Sequence, residues 1–294
     1  MTEQPIIQVI AQSDKGKVRE QQEDRCVALA LPNRQLALLL VADGMGGHAG
    51  GALASMTVAE TVQQTLQPYL AALQPLPTRK LPEGEGEEAA PMVTQKLDLR
   101  TVKLADQQTQ DDPPTVTELL RRTVQQAHLA VREKKADPEN VALAQAGSTL
   151  TVALVIGRQL YLAHVGDSRA YLWRQSALRQ LTHDHSGAAL LVAAGMITSD
   201  EVRGHEGSHL LYRFLGGTDQ EATPELIQFA LEPDDLLLLC SDGLWGMMAD
   251  AELALHLTAE RDLALLARTL IDAANANGGQ DNISVVLARI GEKG

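Results

Sequence analysis

Runs of apolar, strand-forming residues recur along the chain at Ile6 to Ala11, Arg25 to Leu31, Leu36 to Ala42, Leu150 to Ile156, Leu160 to Val165, Ala170 to Trp173, Leu226 to Leu231, Leu236 to Cys240 and Ile283 to Ile290. Short polar turns join several of them, among them Pro32-Asn33-Arg34, Gly157-Arg158 and Pro233-Asp234. Turns this short fit antiparallel hairpins better than crossovers. Between the runs the spacing changes from two to helical. Ala52 to Leu73 places Val58, Val62, Leu66, Leu70 and Leu73 on one face, and Thr117 to Lys135 does likewise behind a capping box at Thr115 and Glu118. Asp250 to Leu257 and Arg261 to Asn275 form a further helical pair before the last strand. Long helices beside antiparallel strands predict an α+β sandwich, two sheets packed together with helices outside.

The segment Gln74 to Pro114 breaks the pattern. It carries Pro75, Pro77, Pro82, Pro91, Pro113 and Pro114 around Gly84-Glu85-Gly86-Glu87-Glu88. That composition predicts a flexible insertion between two helices of one domain spanning residues 1–294.

Three apolar runs end on an aspartate beside glycine: Leu36 to Ala42 on Asp43-Gly44-Met45-Gly46-Gly47, Leu160 to Val165 on Gly166-Asp167-Ser168, and Leu236 to Cys240 on Ser241-Asp242-Gly243. Glu23-Asp24 and Asp281-Asn282 stand just before strands. In an antiparallel sheet the end of one strand and the start of the next share an edge, so five acidic positions converge on one rim. Clustered carboxylates repel and raise one another's pKa, which makes such a rim tolerable mainly when cations sit in it. Oxygen donors without His or Cys select hard ions such as Mg²⁺ and Mn²⁺.

Composition narrows the setting. The 294 residues are 45% apolar with 3% aromatic, so the core is built from Leu, Val, Ile and Ala. A formal net charge of -13 argues against nucleic acid and anionic membranes as partners. Cys26 and Cys240, the two cysteines, have no metal-ligand spacing and read as buried free thiols of a reducing cytoplasm. No leader pattern opens the chain, and no window approaches a membrane span. The expectation is a cytoplasmic monomer.

Six blocks then identify a family. Arg19-Glu20-Gln21-Gln22-Glu23-Asp24, Ala42-Asp43-Gly44-Met45-Gly46-Gly47-His48, Ala146-Gly147-Ser148-Thr149, Val165-Gly166-Asp167-Ser168-Arg169, Cys240-Ser241-Asp242-Gly243-Leu244-Trp245 and Gly279-Gln280-Asp281-Asn282 resemble, in order, the signature blocks of the PP2C-type metal-dependent Ser/Thr protein phosphatases. The resemblance implies an α-β-β-α sandwich with a binuclear Mn²⁺ or Mg²⁺ site at one edge. It casts Asp43 as shared between the two metals, with the Gly44 carbonyl beside it. Asp242 and Asp281 would hold the first metal, Glu23 would reach the second through water, and Asp24 would support that shell. Asp167 matches the residue that, with Asp242, holds a third, weaker ion, and Arg19 matches the phosphate grip. A structural ion pair is the competing reading of Arg19 beside carboxylates.

Four features depart from the family pattern: Met45 where many eukaryotic members have His, Gln22 before Glu23 in place of Asn, Gly246 where some members have Asp, and the length of the insertion. Met45 leaves protonation of the leaving group without an assigned residue. His48, His183, His185, His205 and His209 are candidates by type. Thr182 to Gly217 resembles the flap of bacterial members. The reading is a bacterial-type phosphatase that uses metal-activated water on phospho-Ser and phospho-Thr, with phosphorylated proteins made by a Ser/Thr kinase as partners. Its rivals are a catalytically silent phosphoprotein-binding module on the same fold and a phosphatase for small esters or phospho-Tyr.

Overall fold

A computed structural model describes residues 5–31, 35–46, 49–72, 115–259 and 262–292. The insertion at 74–114, the turn Pro32-Asn33-Arg34, Gly47, His48, Leu73 and Arg261 lie outside them. The strands are β1 (Pro5–Asp14), β2 (Arg25–Leu31), β3 (Leu36–Ala42), β4 (Gly44–Met45), β5 (Gly147–Ser148), β6 (Leu150–Ile156), β7 (Gln159–Val165), β8 (Arg169–Arg174), β9 (Ala177–Gln180), β10 (Glu225–Ala230), β11 (Leu236–Cys240) and β12 (Ile283–Glu292). The helices are α1 (Ala49–Ala72), α2 (Val116–Ala136), α3 (Gly187–Ala193), α4 (Asp242–Trp245), α5 (Asp250–Ala259) and α6 (Leu263–Ala276).

Two five-stranded sheets, ordered β1-β12-β11-β8-β9 and β10-β7-β6-β3-β2, are antiparallel throughout. Their inner faces meet through Ala37, Leu39 and Val41 on one side and Leu237, Leu239 and Val286 on the other. The neighbouring residues of the same strands point outward. Leu36, Leu38 and Leu40 pack under α1 and α2, while Leu236, Leu238 and Cys240 pack under the second layer of helices. Both faces of β3 and β11 are therefore covered, which is why these strands read as unbroken apolar runs instead of alternating ones. This is the expected α-β-β-α sandwich.

Hydrophobicity alone does not set the register of such a strand, because a one-residue slip still buries apolar side chains on both faces. Polar contacts at the strand end do set it. The Asp43 N–H donates to Thr149 Oγ1 at 2.9 Å, and the Thr149 N–H returns a bond to the Asp43 carbonyl at 2.9 Å. These hold the end of β3 against the start of β6.

Three expectations are corrected. Pro233-Asp234 does not close a hairpin: β10 pairs with β7 in one sheet and β11 belongs to the other. The cause is the residue after the turn. Asp235, 1% exposed, takes a two-pronged bond from Arg174 of β8 (2.8 and 2.6 Å) and accepts the Glu232 N–H at 2.7 Å. The Asp234 N–H bonds the Ile290 carbonyl of β12 at 2.7 Å, so the chain is stitched to the second sheet as it leaves the first. At α2 only half of the capping box forms. Thr115 accepts the Glu118 N–H at 3.2 Å, but the Glu118 carboxylate pairs with Arg122 and Arg121. Finally, Cys240 is buried while Cys26 is partly exposed; both are free thiols.

Strand β9 gave no sequence signal. Its turn places Gln175 and Ser176 at φ 50° and 62°, a conformation usually announced by Asn-Gly. Its four residues, Ala177 to Gln180, are exposed or partly exposed, and only Leu178 packs against the core.

Removing the clamp is expected to loosen the crossover. Asp235→Ala strips a buried partner from both Arg174 and the Glu232 amide, a loss of about 2 kcal/mol. A urea midpoint unchanged from the parent would contradict this.

Candidate active site

The antiparallel registers bring the acidic residues together. Arg25 lies opposite Ala42, and Leu150 opposite Val165, so the start of β2 and the ends of β3 and β7 share one edge. In the other sheet Cys240 lies opposite both Arg169 and Val285, placing the end of β11 beside the starts of β8 and β12. These two edges face each other around a pocket of about 150 Å³. Glu23, Asp43, Asp167, Asp242 and Asp281 line it, together with Arg19 and Gly44.

Glycines allow this convergence. Gly166 has φ +111° and lies so close to Thr149 that an added Cβ would sit 2.6 Å from its side chain. The turn holding Asp167 therefore packs directly on the residue that holds Asp43.

Asp24 is placed differently from the other acids. It lies behind the pocket wall, 2% exposed, and its Oδ2 accepts the Ser241 hydroxyl at 2.7 Å. Its Oδ1 is buried without a hydrogen-bond partner, and so is Oδ1 of Asp242. Two orphaned carboxylate oxygens buried among other acids are costly, and each is a ready donor to a cation.

The electrostatics agree. Burial pushes Asp24 up to about 7, with the charges of Asp242 and Asp281 adding to the effect. Burial and then Asp281 push Asp242 up to about 6. Asp43 and Asp167 are driven well above the usual carboxylate range, first by burial and then by their acidic neighbours. Against this stands Arg19, whose Nη2 lies 2.5 Å from Asp281 Oδ2 with both side chains substantially exposed. The ion-pair reading of Arg19 thus holds in this state, although the same guanidinium lines the pocket.

Two residues that sequence reasoning left without a role organise the rim. Asn282, 3% exposed, accepts the Glu23 N–H at 2.7 Å and donates to the carbonyls of Lys15 (2.8 Å) and Gln21 (2.9 Å). One amide therefore ties the loop bearing Arg19 and Glu23 to Asp281. Thr149, besides holding Asp43, shares a 2.7 Å bond with Ser168 Oγ, next to Asp167. The adjacency of Asn282 to Asp281 was the available sign; Thr149 stands in one of the six family blocks but offers no charge to single it out.

Of the histidine candidates, His209 lines the pocket, and Leu211 beside it is a wall residue that the sequence did not flag. His183 is bound to Glu225 at 2.7 Å, and His205 Nδ1 accepts the Gly207 N–H at 2.9 Å. His185 is buried, pushed down to about 3 chiefly by burial and then by His164. With His164 and Glu225 it forms a separate group of metal-ligand type among the described residues, but there the His164 ring nitrogens bond Thr151 Oγ1 and the His183 carbonyl.

An antiparallel α-β-β-α sandwich with an oxygen-donor rim at one edge defines a class, the metal-dependent phosphoprotein phosphatases that act on Ser and Thr. The family described as Protein phosphatase 2C matches residues 15–287, and the chain belongs to it. It is similar to the serine/threonine phosphatase stp of Listeria innocua, 30% identical over 275 residues that cover 94% of this chain and 92% of that one. The serine/threonine protein phosphatase PstP of Mycobacterium tuberculosis is 33% identical over 285 residues; the match covers 97% of this chain and 45% of PstP. A crystal structure of the PstP catalytic domain in complex with 2 manganese ions superposes with a TM-score of 0.70 at 29% identity, covering 98% of this chain and 100% of that one. Among the described residues, no helix is long and apolar enough to cross a membrane.

Raised carboxylate pKa values bind more protons in the folded than in the unfolded chain, so without metal their contribution to stability is present at low pH and lost as pH rises through the folded values. In EDTA this loss runs from the ordinary value of 3.8 up to Asp242 at about 6 and Asp24 at about 7, with the depressed His164 and His185 working against it. The melting temperature of Asp24→Asn relative to the parent is therefore expected to rise between about pH 4 and pH 7. A difference between the two proteins that stays constant from about pH 4 to pH 7 would contradict the raised value of Asp24. Asn282→Asp keeps the acceptor for Glu23 and removes both donors. Faster amide exchange across residues 15–23 is expected, and exchange equal to the parent would refute the tether.

Proposed function

We propose that the acidic rim holds two divalent cations, Mn²⁺ or Mg²⁺, and is the catalytic centre of this phosphatase. In this reading Asp43, with the Gly44 carbonyl beside it, would contribute to holding both ions. Asp242 and Asp281 would hold the first ion, and Glu23 would contribute to holding the second. Asp24 supports the set from behind, while Asp167 with Asp242 offers a weaker third position. The observation that carries the reading is the meeting of acids from both sheets around one small pocket with unpartnered buried oxygens beneath it. When bound, such a pair of ions supplies Lewis acidity toward water and toward phosphoryl oxygens.

The chain supplies orientation. The Arg19 guanidinium stands at the pocket with N–H donors beyond the one bonded to Asp281, and its fork suits two phosphoryl oxygens at once. Asn282 sets the position of Glu23, and Thr149 that of Asp43. Met45 brings no proton donor to the wall it shares with Gly44. Among the described histidines, His209 alone lines the pocket, which supports it, in this reading, as the group that would assist the leaving oxygen. The substrates in this reading are proteins phosphorylated by a Ser/Thr kinase, in a reducing compartment consistent with the two free thiols.

The test is turnover of p-nitrophenyl phosphate and a phosphothreonine peptide with and without Mn²⁺. Asp43→Asn and Asp242→Asn are each expected to lose at least about a hundredfold in kcat, on the scale of removing a principal electrostatic group from a catalytic centre. Calorimetry on the same variants should register weaker Mn²⁺ binding. Activity in EDTA equal to that in Mn²⁺, or parent-like kcat in both variants, would sink the proposal.

A further inference from the structure

A second cavity, of about 470 Å³, lies against the same segment that walls the acidic pocket. Residues 209–212 separate the two. His209 and Leu211 line the acidic pocket, Tyr212 lines the larger cavity, and Leu210 is 68% exposed between them. Ser186 anchors this segment by an isolated antiparallel bridge to Leu211, and the Gly187 N–H donates to the Leu210 carbonyl at 2.8 Å.

The polar groups of this cavity are largely satisfied by one another. Arg169 donates Nε and Nη2 to the Asp184 carboxylate and Nη1 to the Tyr171 hydroxyl, and its guanidinium lies 3.6 Å above the Trp245 ring. Gln180 bonds the Thr182 carbonyl and Asp184. Arg203 Nε donates to the Trp245 carbonyl at 3.3 Å, His183 is held by Glu225, and Asp250 accepts the Tyr171 hydroxyl at 3.3 Å. Ser199, Asp200 and the Tyr212 hydroxyl, at the exposed rim, are the exceptions. Beside these polar groups the cavity offers a visitor aliphatic and aromatic surface from Ala189, Leu190, Val192, Val202 and Tyr212. Leu190 is 53% and Tyr212 46% exposed. Exposed apolar surface in a concave site rimmed by polar groups marks a binding surface.

Size separates the roles of the two cavities. A pocket of about 150 Å³ is smaller than the roughly 300 Å³ at which small-molecule sites begin, so it admits a phosphorylated side-chain head while the peptide lies outside. Because residues 209–212 contribute walls to both cavities, a peptide so anchored would pass over them toward the larger one.

We propose that this cavity is a specificity subsite that takes one large apolar side chain, Leu, Ile, Met or Phe, within about three residues of the phosphorylated Ser or Thr. The proposal rests on the acidic pocket being the catalytic centre. An apolar side chain added to a fitting pocket is worth about tenfold or more in discrimination.

The experiment uses the full chain with Mn²⁺ and phosphothreonine peptides in which Leu, Phe, Ala or Asp is placed in turn at each of the three positions on either side. At one position Leu or Phe should raise kcat/KM about tenfold over Ala, chiefly through KM. Leu190→Lys, a change at an exposed position, should bring that preference within about twofold. Its turnover of p-nitrophenyl phosphate should match the parent. A flat peptide profile with normal ester turnover would overturn the subsite and leave the catalytic reading standing. Equal losses on peptide and ester in Leu190→Lys would overturn it as well, and so would concentration-dependent dimerisation abolished by that change, which would mark a second copy of the chain as the occupant. No ester turnover by the parent would remove the catalytic reading and the subsite with it.

Discussion

The repulsion among carboxylates gathered at one edge of the sandwich is the constraint on which the rest of the structure depends. Asp24, Asp43, Asp167 and Asp242 all have pKa values raised by burial and by one another, and a chain free to relax would spread them apart. They are held by strands covered on both faces. Moving Asp43 or Asp242 means moving β3 or β11, whose residues are fully buried, and each large apolar side chain exposed by such a shift costs about 2 kcal/mol. The apolar core is thus the source of the work that keeps like charges together. The cations that the rim is suited to hold return part of it by stabilising the folded state.

Core and rim also act on each other in the opposite direction. The apolar pattern of β3 leaves its register open, whereas the paired bonds between Asp43 and Thr149 close it. Thr149 continues to Ser168, and Ser241, whose hydroxyl donates to Asp24, accepts the Ser284 N–H of β12 at 2.9 Å. Polar residues at the strand ends therefore do two jobs, positioning acids and fixing strand alignment, and their loss is expected to be felt in both.

What the sequence made legible follows from this division. Strands buried on both faces announce themselves as unbroken apolar runs, and Leu36 to Ala42, Leu150 to Ile156 and Leu236 to Cys240 stand as read. The acids at the rim were legible because a carboxylate beside glycine at the end of a buried strand is costly unless it meets a partner; three such positions recur, and two more acidic sites stand just before strands on the same rim. Contacts between elements distant in sequence left no trace. Pro233-Asp234 has the composition of a hairpin turn, and only the meeting of Asp235 with Arg174 sends the chain into the other sheet. Strand β9 lacks both alternation and a turn glycine. Asn282 and Thr149 carry no charge, so their importance appears only when the groups they join, from Lys15 to Ser168, are seen together.

The pairing of Arg19 with Asp281 brings two readings of one residue into agreement. A contact between side chains 49% and 28% exposed is screened by solvent and is worth at most about 1 kcal/mol. A phosphoryl group offers the guanidinium two charge-assisted acceptors in place of one, enough to displace so weak a bond. If Arg19 is the phosphate grip proposed for it, its ion pair with Asp281 keeps the guanidinium beside the pocket and is shallow enough for a phosphoryl group to displace.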